Sequence, residues 1–130
     1  MIAHVQTADG LAIVDLDEEA VLELDSARSI EPPPHQPSLS LPRVVAAAAA
    51  GSTVVAVVDA KPPLLVSHDA GRTWRDSGRG LPAGRAVALS PDDPDVVLYA
   101  ARNRLYLSRD GGRFWHGLAL ELPEIEGVSI

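Results

Sequence analysis

Few side chains in this 130-residue chain have the type and spacing that chemistry on a substrate requires. Ser67 and Ser108 could be nucleophiles, but both belong to a repeat, and the surrounding sequence suggests no His–Asp partner for either. The chain has no cysteine, and its four histidines form no pair with metal-ligand spacing: His4, His35, His68 and His116. We therefore expect no catalytic site, no cofactor and no metal ion.

The repeat around these serines has the form S-x-D-x-G-x-x-W, with an offset of 41 residues between its two copies. A carboxylate here can accept hydrogen bonds from turn amides, the serine can fix the hairpin, and glycine tolerates positive φ. A calcium loop needs several carboxylates, whereas each copy has one, so a structural role is favoured over metal binding or catalysis. The predicted structural residues are Ser67, Asp69, Gly71 and Trp74, and Ser108, Asp110, Gly112 and Trp115.

A longer period surrounds the two copies. Leu-Pro occurs at positions 41–42, 81–82 and 122–123, each time just before a short apolar stretch. We take these stretches as equivalent innermost strands beginning at Arg43, Arg85 and Glu126. A period of about 40 to 45 residues with four strands in each unit is propeller spacing.

The fold class predicted is all-β, with four-stranded antiparallel meanders as blades and about three blades in the chain. The predicted strands of the two full blades are 43–49, 53–58, 64–67 and 73–75, and 85–90, 96–101, 104–108 and 114–118. A degenerate copy of the motif is visible at Asp15, Asp17, Glu19 and Leu22, with its glycine replaced. We expect a single partial propeller over residues 1–130, made of three strands of a shared blade (1–24), a Pro-rich linker (25–42), two blades (43–82 and 83–123) and an innermost strand of a shared blade (126–130).

The two motif copies and their strand pattern resemble the Asp-box, or BNR-repeat, β-propellers, which include sialidases, sortilin-type receptors and photosystem assembly factors. The resemblance covers about Pro42 to the C-terminus, and the N-terminal segment matches less well. It implies that each box lies at the hairpin between the third and fourth strands, away from the central pocket. It therefore implies structure more than chemistry.

Three blades do not close a ring, because propellers use about four or more. The N-terminal segment lacks an innermost strand and the C-terminus supplies one, so we expect the C-terminal strand of one copy to complete the N-terminal sheet of another. The result would be a homodimer with six blades. A second polypeptide or missing downstream sequence are the alternative sources of the remaining blades.

Charge and composition disfavour several classes of partner. The net charge of −7 and the pI near 4.9 disfavour nucleic acids and anionic membranes, which bind clustered Lys and Arg. No apolar run approaches the length of a membrane span, and the first residues lack the basic and apolar parts of a secretory signal. We expect a soluble, cytoplasmic protein.

The predicted function is a non-enzymatic binding or scaffold module for a protein or small ligand. Arg43, Arg85 and Glu126 would place four arginines and two glutamates around the channel of a six-bladed ring, where they could bind an acidic group or remain solvated. The alternative is a sialidase-like, glycan-processing hydrolase with a composite site between subunits. Sialidases use an arginine triad, a tyrosine–glutamate nucleophile and an acidic donor, and this chain departs from that pattern throughout.

Overall fold

The computed structural model describes residues 1–27, Leu41 and residues 43–130. This part of the chain is all-β, without a helix. Its strands are β1 (Ile2–Thr7), β2 (Gly10–Asp15), β3 (Ala20–Asp25), β4 (Val44–Ala50), β5 (Thr53–Val58), β6 (Leu64–Ser67), β7 (Arg75–Ser77), β8 (Ala86–Leu89), β9 (Val97–Ala100), β10 (Leu105–Ser108), β11 (His116–Gly117) and β12 (Ile125–Ser129).

The strands form three four-stranded antiparallel sheets. Sheet 1 has the order β12-β1-β2-β3, sheet 2 the order β4-β5-β6-β7, and sheet 3 the order β11-β10-β9-β8. Sheets 2 and 3 are simple meanders, because each strand pairs with the strand that precedes it in the sequence. Sheet 1 is a meander to which the last strand of the chain is added.

The first hairpin shows why the meanders turn tightly. The hydroxyl of Thr7 donates to the carbonyl of Gly10 at 2.8 Å, and Gly10 has φ of 128°. A Cβ at this position would lie 2.5 Å from the backbone oxygen of Asp25 on the adjacent strand. Gly10 is therefore required both for the backbone conformation and for the close approach of β3.

The two terminal segments belong to one sheet, but they meet within one chain. β12 pairs with β1 of the same molecule, with Ser129 opposite His4 and Gly127 opposite Gln6. The Ala8 amide adds a hydrogen bond of 2.8 Å to the carbonyl of Glu124. This corrects the predicted exchange of strands between molecules: sheet 3 brings the C-terminus beside β1, so both open edges are satisfied internally.

Sheet 3 lies between the other two. β8 lies beside both β4 and β12, whereas β4 and β12 do not approach each other in the described chain. One core cluster joins sheet 3 to sheet 1 through residues such as Leu98 and Val14. A second joins sheet 3 to sheet 2 through residues such as Tyr99 and Val57. The spatial order is therefore sheet 2, sheet 3, sheet 1.

The predicted strands agree best where apolar residues dominate. Thr53–Val58 and Leu64–Ser67 are found at their predicted bounds. The fourth strands, predicted at 73–75 and 114–118, instead begin after the tryptophans, at Arg75 and His116. The reason is that the amides of Thr73 and Phe114 bond to the preceding aspartates and cannot join a ladder.

The predicted linker at 25–42 lies mostly outside the described residues, and of its described members Asp25 belongs to β3.

The part of the chain that the structure covers contains no helix of the length and apolarity needed to cross a membrane.

Candidate functional site

The turn that follows β6 is held by its own side chains. The hydroxyl of Ser67 donates to Asp69 at 2.7 Å and accepts the amide of Gly71 at 2.8 Å. The carboxylate of Asp69 accepts the amide and the hydroxyl of Thr73 at 2.8 and 2.5 Å. Gly71 has φ of 89°, a conformation that favours glycine. We name Ser67 to Trp74 the first turn.

The corresponding segment after β10, Ser108 to Trp115, is named the second turn. Ser108 donates to Asp110 at 2.8 Å and accepts the amide of Gly112 at 2.9 Å. Asp110 accepts the amides of Arg113 and Phe114 at 3.1 and 3.0 Å. In both turns the side chains satisfy backbone amides of the turn itself, and neither aspartate is paired with a second carboxylate.

These hydrogen bonds stabilise the ionised carboxylates. The hydroxyl and amide of Thr73, followed by the Ser67 hydroxyl, hold the pKa of Asp69 well below its usual range. The amide of Phe114 and the hydroxyl of Ser108 lower the pKa of Asp110. A carboxyl with a lowered pKa is ionised near neutral pH and has no proton to donate, so neither group suits general acid catalysis there.

The degenerate copy in sheet 1 forms a similar turn, although it lacks the serine and the glycine of the motif. The carboxylate of Asp15 accepts the amides of Asp17 and Glu18 at 2.9 and 3.1 Å. Glu19, at the predicted glycine position, has φ of 52°. Its left-handed conformation is the one that glycine would supply, so an aspartate-held turn replaces the serine-held one.

The turns also connect neighbouring sheets. Arg75 of sheet 2 donates to the carbonyl of Gly111 in the second turn at 2.9 Å, and Ser77 donates to the carbonyl of Gly112. Between sheets 3 and 1, His116 Nε2 lies 3.0 Å from Glu19 Oε1, and Arg109 pairs with Asp17 at 2.7 Å. An outer strand of one sheet thus binds the turn of the next.

The two tryptophans differ in their surroundings. Trp115 packs against the cluster between sheets 2 and 3, with its ring 6.0 Å from that of Tyr99, and its Nε1 donates to the carbonyl of Gly112 at 3.0 Å. Trp74 belongs to neither core cluster of the described residues. The sequence equivalence of these residues is therefore not matched by equivalent packing.

The innermost strands converge on a groove of about 400 Å³, which we name the inner groove. Each strand contributes three consecutive residues, and β1 adds one. The lining residues are Val45, Ala46 and Ala47 from β4, Arg85, Ala86 and Val87 at β8, Glu126, Gly127 and Val128 from β12, and Gln6. The lining is of mixed polarity, with Arg85 and Glu126 at the start of their runs.

The predicted channel residues divide between two places. Arg85 and Glu126 line the inner groove, but Arg43 lines a separate hollow with Val58 and Leu65. Arg43 has φ of 60° and precedes a register shift in β4, which moves it away from the equivalent position. The prediction that Arg43 occupies a position equivalent to Arg85 and Glu126 is therefore wrong.

Val45 is the true counterpart of Arg85 and Glu126, and the sequence carried a signal for it. Each of these three residues lies four positions after the leucine of a Leu-Pro pair, at Leu41, Leu81 and Leu122. A constant spacing of four residues from the leucine of each Leu-Pro pair identifies Val45, and not Arg43, as the equivalent residue. Val45 is 51% exposed, which is unusual for valine and places an apolar surface at the groove.

The charges of the groove are partly compensated. Arg85 forms an ion pair of 2.7 Å with Glu124, and Arg102 lies 3.9 Å from the same carboxylate. Both side chains of the closer pair are more than 40% exposed, so the pair holds Arg85 weakly. Glu126 has no ion pair with any described residue.

The tyrosines are used for packing. Tyr99 is fully buried, and its hydroxyl donates to the carbonyl of Pro82 at 2.5 Å. Burial, with a smaller effect of Tyr106, raises the pKa of Tyr99 to about 12. A hydroxyl that is buried, bonded and harder to ionise is a poor nucleophile at neutral pH.

The histidines within the described residues lie apart from one another, on β1, in the first turn and on β11. No group of three or more His, Asp or Glu among these residues could hold a metal ion. The fourth, His35, lies outside the described residues.

Comparison of the chain with models of known protein families gives no match, and neither does comparison with curated proteins. The Asp-box resemblance therefore depends on the two motif copies and stays a prediction.

Proposed function

We propose that this chain supplies three blades of an Asp-box β-propeller and acts as a non-enzymatic binding module. The support is the arrangement of three four-stranded antiparallel sheets whose innermost strands, β4, β8 and β12, all line the inner groove. The serines, aspartates and buried tyrosine whose side chains could take part in catalysis hold turns or pack in the core. Fold alone does not define function, so the proposal depends on the groove.

The inner groove suits a ligand that has an apolar part and an acidic group. Val45, Val87 and Val128 provide the apolar surface, and Arg85 provides a cation at one end. Arginine recognises carboxylates through two parallel hydrogen bonds, and its exposed pair with Glu124 can be exchanged at small cost. A short acidic segment of a protein, or a small organic acid, has this chemistry.

The test is a selection of short peptides from a random library on the immobilised chain, followed by binding measurements with the selected peptides. Arg85→Ala should weaken binding by about tenfold or more, as expected for loss of a charged hydrogen bond. Arg79→Ala is the matched control, because Arg79 is exposed and lines a different hollow. Selected peptides that bind both variants equally would contradict the proposal that the inner groove is the binding site.

A fluorogenic sialoside assay and a glycan array separate the two classes of function that the sequence predicts. Binding without turnover is the expected result for the module. Hydrolysis of the sialoside by the purified chain would instead support the glycan-processing alternative and would refute the non-enzymatic proposal.

A further inference from the structure

Sheet packing within the chain repeats one contact. We name the face of each sheet that points along the order 2, 3, 1 its leading face, and the opposite face its trailing face. On the leading face of sheet 2, Val55 and Val66 pack against Tyr99 on the trailing face of sheet 3. On the leading face of sheet 3, Leu98 packs within the cluster that contains Val14 on the trailing face of sheet 1.

Cross-strand rows identify equivalent residues on the leading faces. Directly opposed residues of antiparallel strands point to the same face. The rows are Ala48, Val55, Val66 and Arg75 in sheet 2, Ala88, Leu98, Leu107 and His116 in sheet 3, and Ser129, His4, Ile13 and Glu23 in sheet 1.

Two faces have no neighbouring sheet among the described residues: the leading face of sheet 1 and the trailing face of sheet 2. On the first, Ile13 is half-buried and Glu23 is exposed. On the second, Ala47, Ala56 and Leu65 form a row that corresponds to Val87, Tyr99 and Tyr106 of sheet 3. Those equivalents are covered by sheet 2.

The last residue of each row on a leading face lies on the outermost strand, and in two sheets it contacts a turn of the next sheet. Arg75 bonds to Gly111 in the second turn, and His116 bonds to Glu19 in the turn of sheet 1. Glu23 is the third member of this set, and its carboxylate has no hydrogen bond or ion pair with a described residue. The turn that it would reach is the first turn, where Arg72 is exposed.

We propose that two copies of the chain associate head to tail, with the leading face of sheet 1 on the trailing face of sheet 2 of the other copy. Glu23 then pairs with Arg72 of the partner subunit, and the reciprocal contact closes a ring of six sheets. The inference rests on the propeller architecture of the proposed function. Each inner groove is incomplete alone, because the partner's innermost strands form the opposite wall.

A second copy fits better than another partner for geometric reasons. The two open faces are the two halves of a contact that the chain already makes twice, between sheets 2 and 3 and between sheets 3 and 1. A head-to-tail contact closes when the rotation allows it. Two copies of three sheets give a ring within the usual range of four to eight blades.

Light scattering coupled to size-exclusion chromatography tests this assembly. We expect a mass of twice 13.7 kDa for the chain. Glu23→Arg and Arg72→Glu should each raise the dissociation constant by about tenfold or more through like-charge repulsion, and the double variant should recover most of the loss. Arg113→Glu is the matched control, since Arg113 is exposed at the same position of the second turn, which sheet 2 already covers.

Circular dichroism of each variant shows whether the chain is still folded, so that unfolding is not mistaken for loss of the contact between the two copies. A folded 13.7 kDa monomer at every concentration would overturn the proposal. So would a dimer that tolerates both single charge reversals. Either result leaves the groove to be judged by its own peptide-binding test, and failure of Arg85→Ala in that test leaves the measured mass unaffected.

Discussion

The first and second turns are two copies of one motif in different surroundings. Inside the turns, Ser67 and Ser108 make the same bonds to an aspartate and to a glycine amide. Outside them, the second turn is bound by Arg75 and Ser77 of sheet 2, whereas the first turn receives no such contact from another described sheet.

The difference shows that the motif determines local conformation without determining what packs on it. A hairpin held by its own side chains keeps its shape whether or not a neighbour is present. Its tryptophan depends on the neighbour, as the contrast between Trp74 and Trp115 shows. Paired substitutions at equivalent positions therefore separate local stability from packing between sheets.

The tryptophan pair should show the largest contrast. Trp115→Ala should lower the free energy of unfolding by about 2–3 kcal/mol, because it removes a half-buried ring packed on Tyr99 and the core. Trp74→Ala should cost less than about 1 kcal/mol in dilute protein, since the ring contacts no core cluster. Urea denaturation measures both values.

Protein concentration sharpens this comparison. If the trailing face of sheet 2 binds a second copy, the cost of Trp74→Ala should grow with concentration, because association stabilises the folded state of the unsubstituted chain. The cost of Trp115→Ala arises within one chain and should change much less. Equal costs for the two variants at all concentrations would contradict the difference between the two surroundings.

The turns and most strands could be predicted from the sequence because they depend on local chemistry. A serine, an aspartate and a glycine at fixed spacing satisfy turn amides with their own groups, and runs such as Thr53–Val58 favour a buried strand. The starts of the fourth strands could not be predicted from local chemistry. Asp69 and Asp110 each accept the amide of the residue four positions later, and whether they can do so depends on the three-dimensional path of the turn.

The remaining features depend on how sheets are placed. The sequence indicates that the two termini complete one sheet, but only the position of sheet 3 shows that β12 reaches β1 of its own chain. Of the three residues predicted at the channel entrance, Arg85 and Glu126 line the inner groove, whereas Arg43, taken as the start of an innermost strand, does not. A register shift in β4 makes Val45 the equivalent residue.

The serines should show a smaller contrast than the tryptophans. Ser67→Ala and Ser108→Ala each remove a bond to an aspartate and an acceptor for a glycine amide, with an expected cost of about 1–2 kcal/mol. The cost should be greater for Ser108, because Gly112 is buried and Gly71 is half-buried. Ser52→Ala, at an exposed site, is the control and should change stability by less than about 0.5 kcal/mol. A large loss only at Ser108 would mean that the first turn is not held by its own side chains.

The aspartates should show the smallest contrast, which is visible as a pH dependence. Because bonding to the turn lowers the pKa of Asp69 and Asp110 in the folded chain, the unfolded chain binds more protons as the pH falls. The stabilisation is therefore present above the unfolded pKa of about 4 and is lost progressively below it. Denaturation midpoints measured between about pH 6 and pH 2 should fall with pH, and either Asp→Asn change should reduce that fall.

The effect should be greater for Asp69→Asn than for Asp110→Asn, since Asp69 accepts the hydroxyl of Thr73 and the corresponding residue, Phe114, has no hydroxyl. Thr73→Val removes that bond while keeping the backbone amide and the size of the side chain. It should bring the pH dependence due to Asp69 close to that due to Asp110. If Thr73→Val leaves the pH profile unchanged, the hydroxyl does not distinguish the two turns, and their difference lies only in what packs against them.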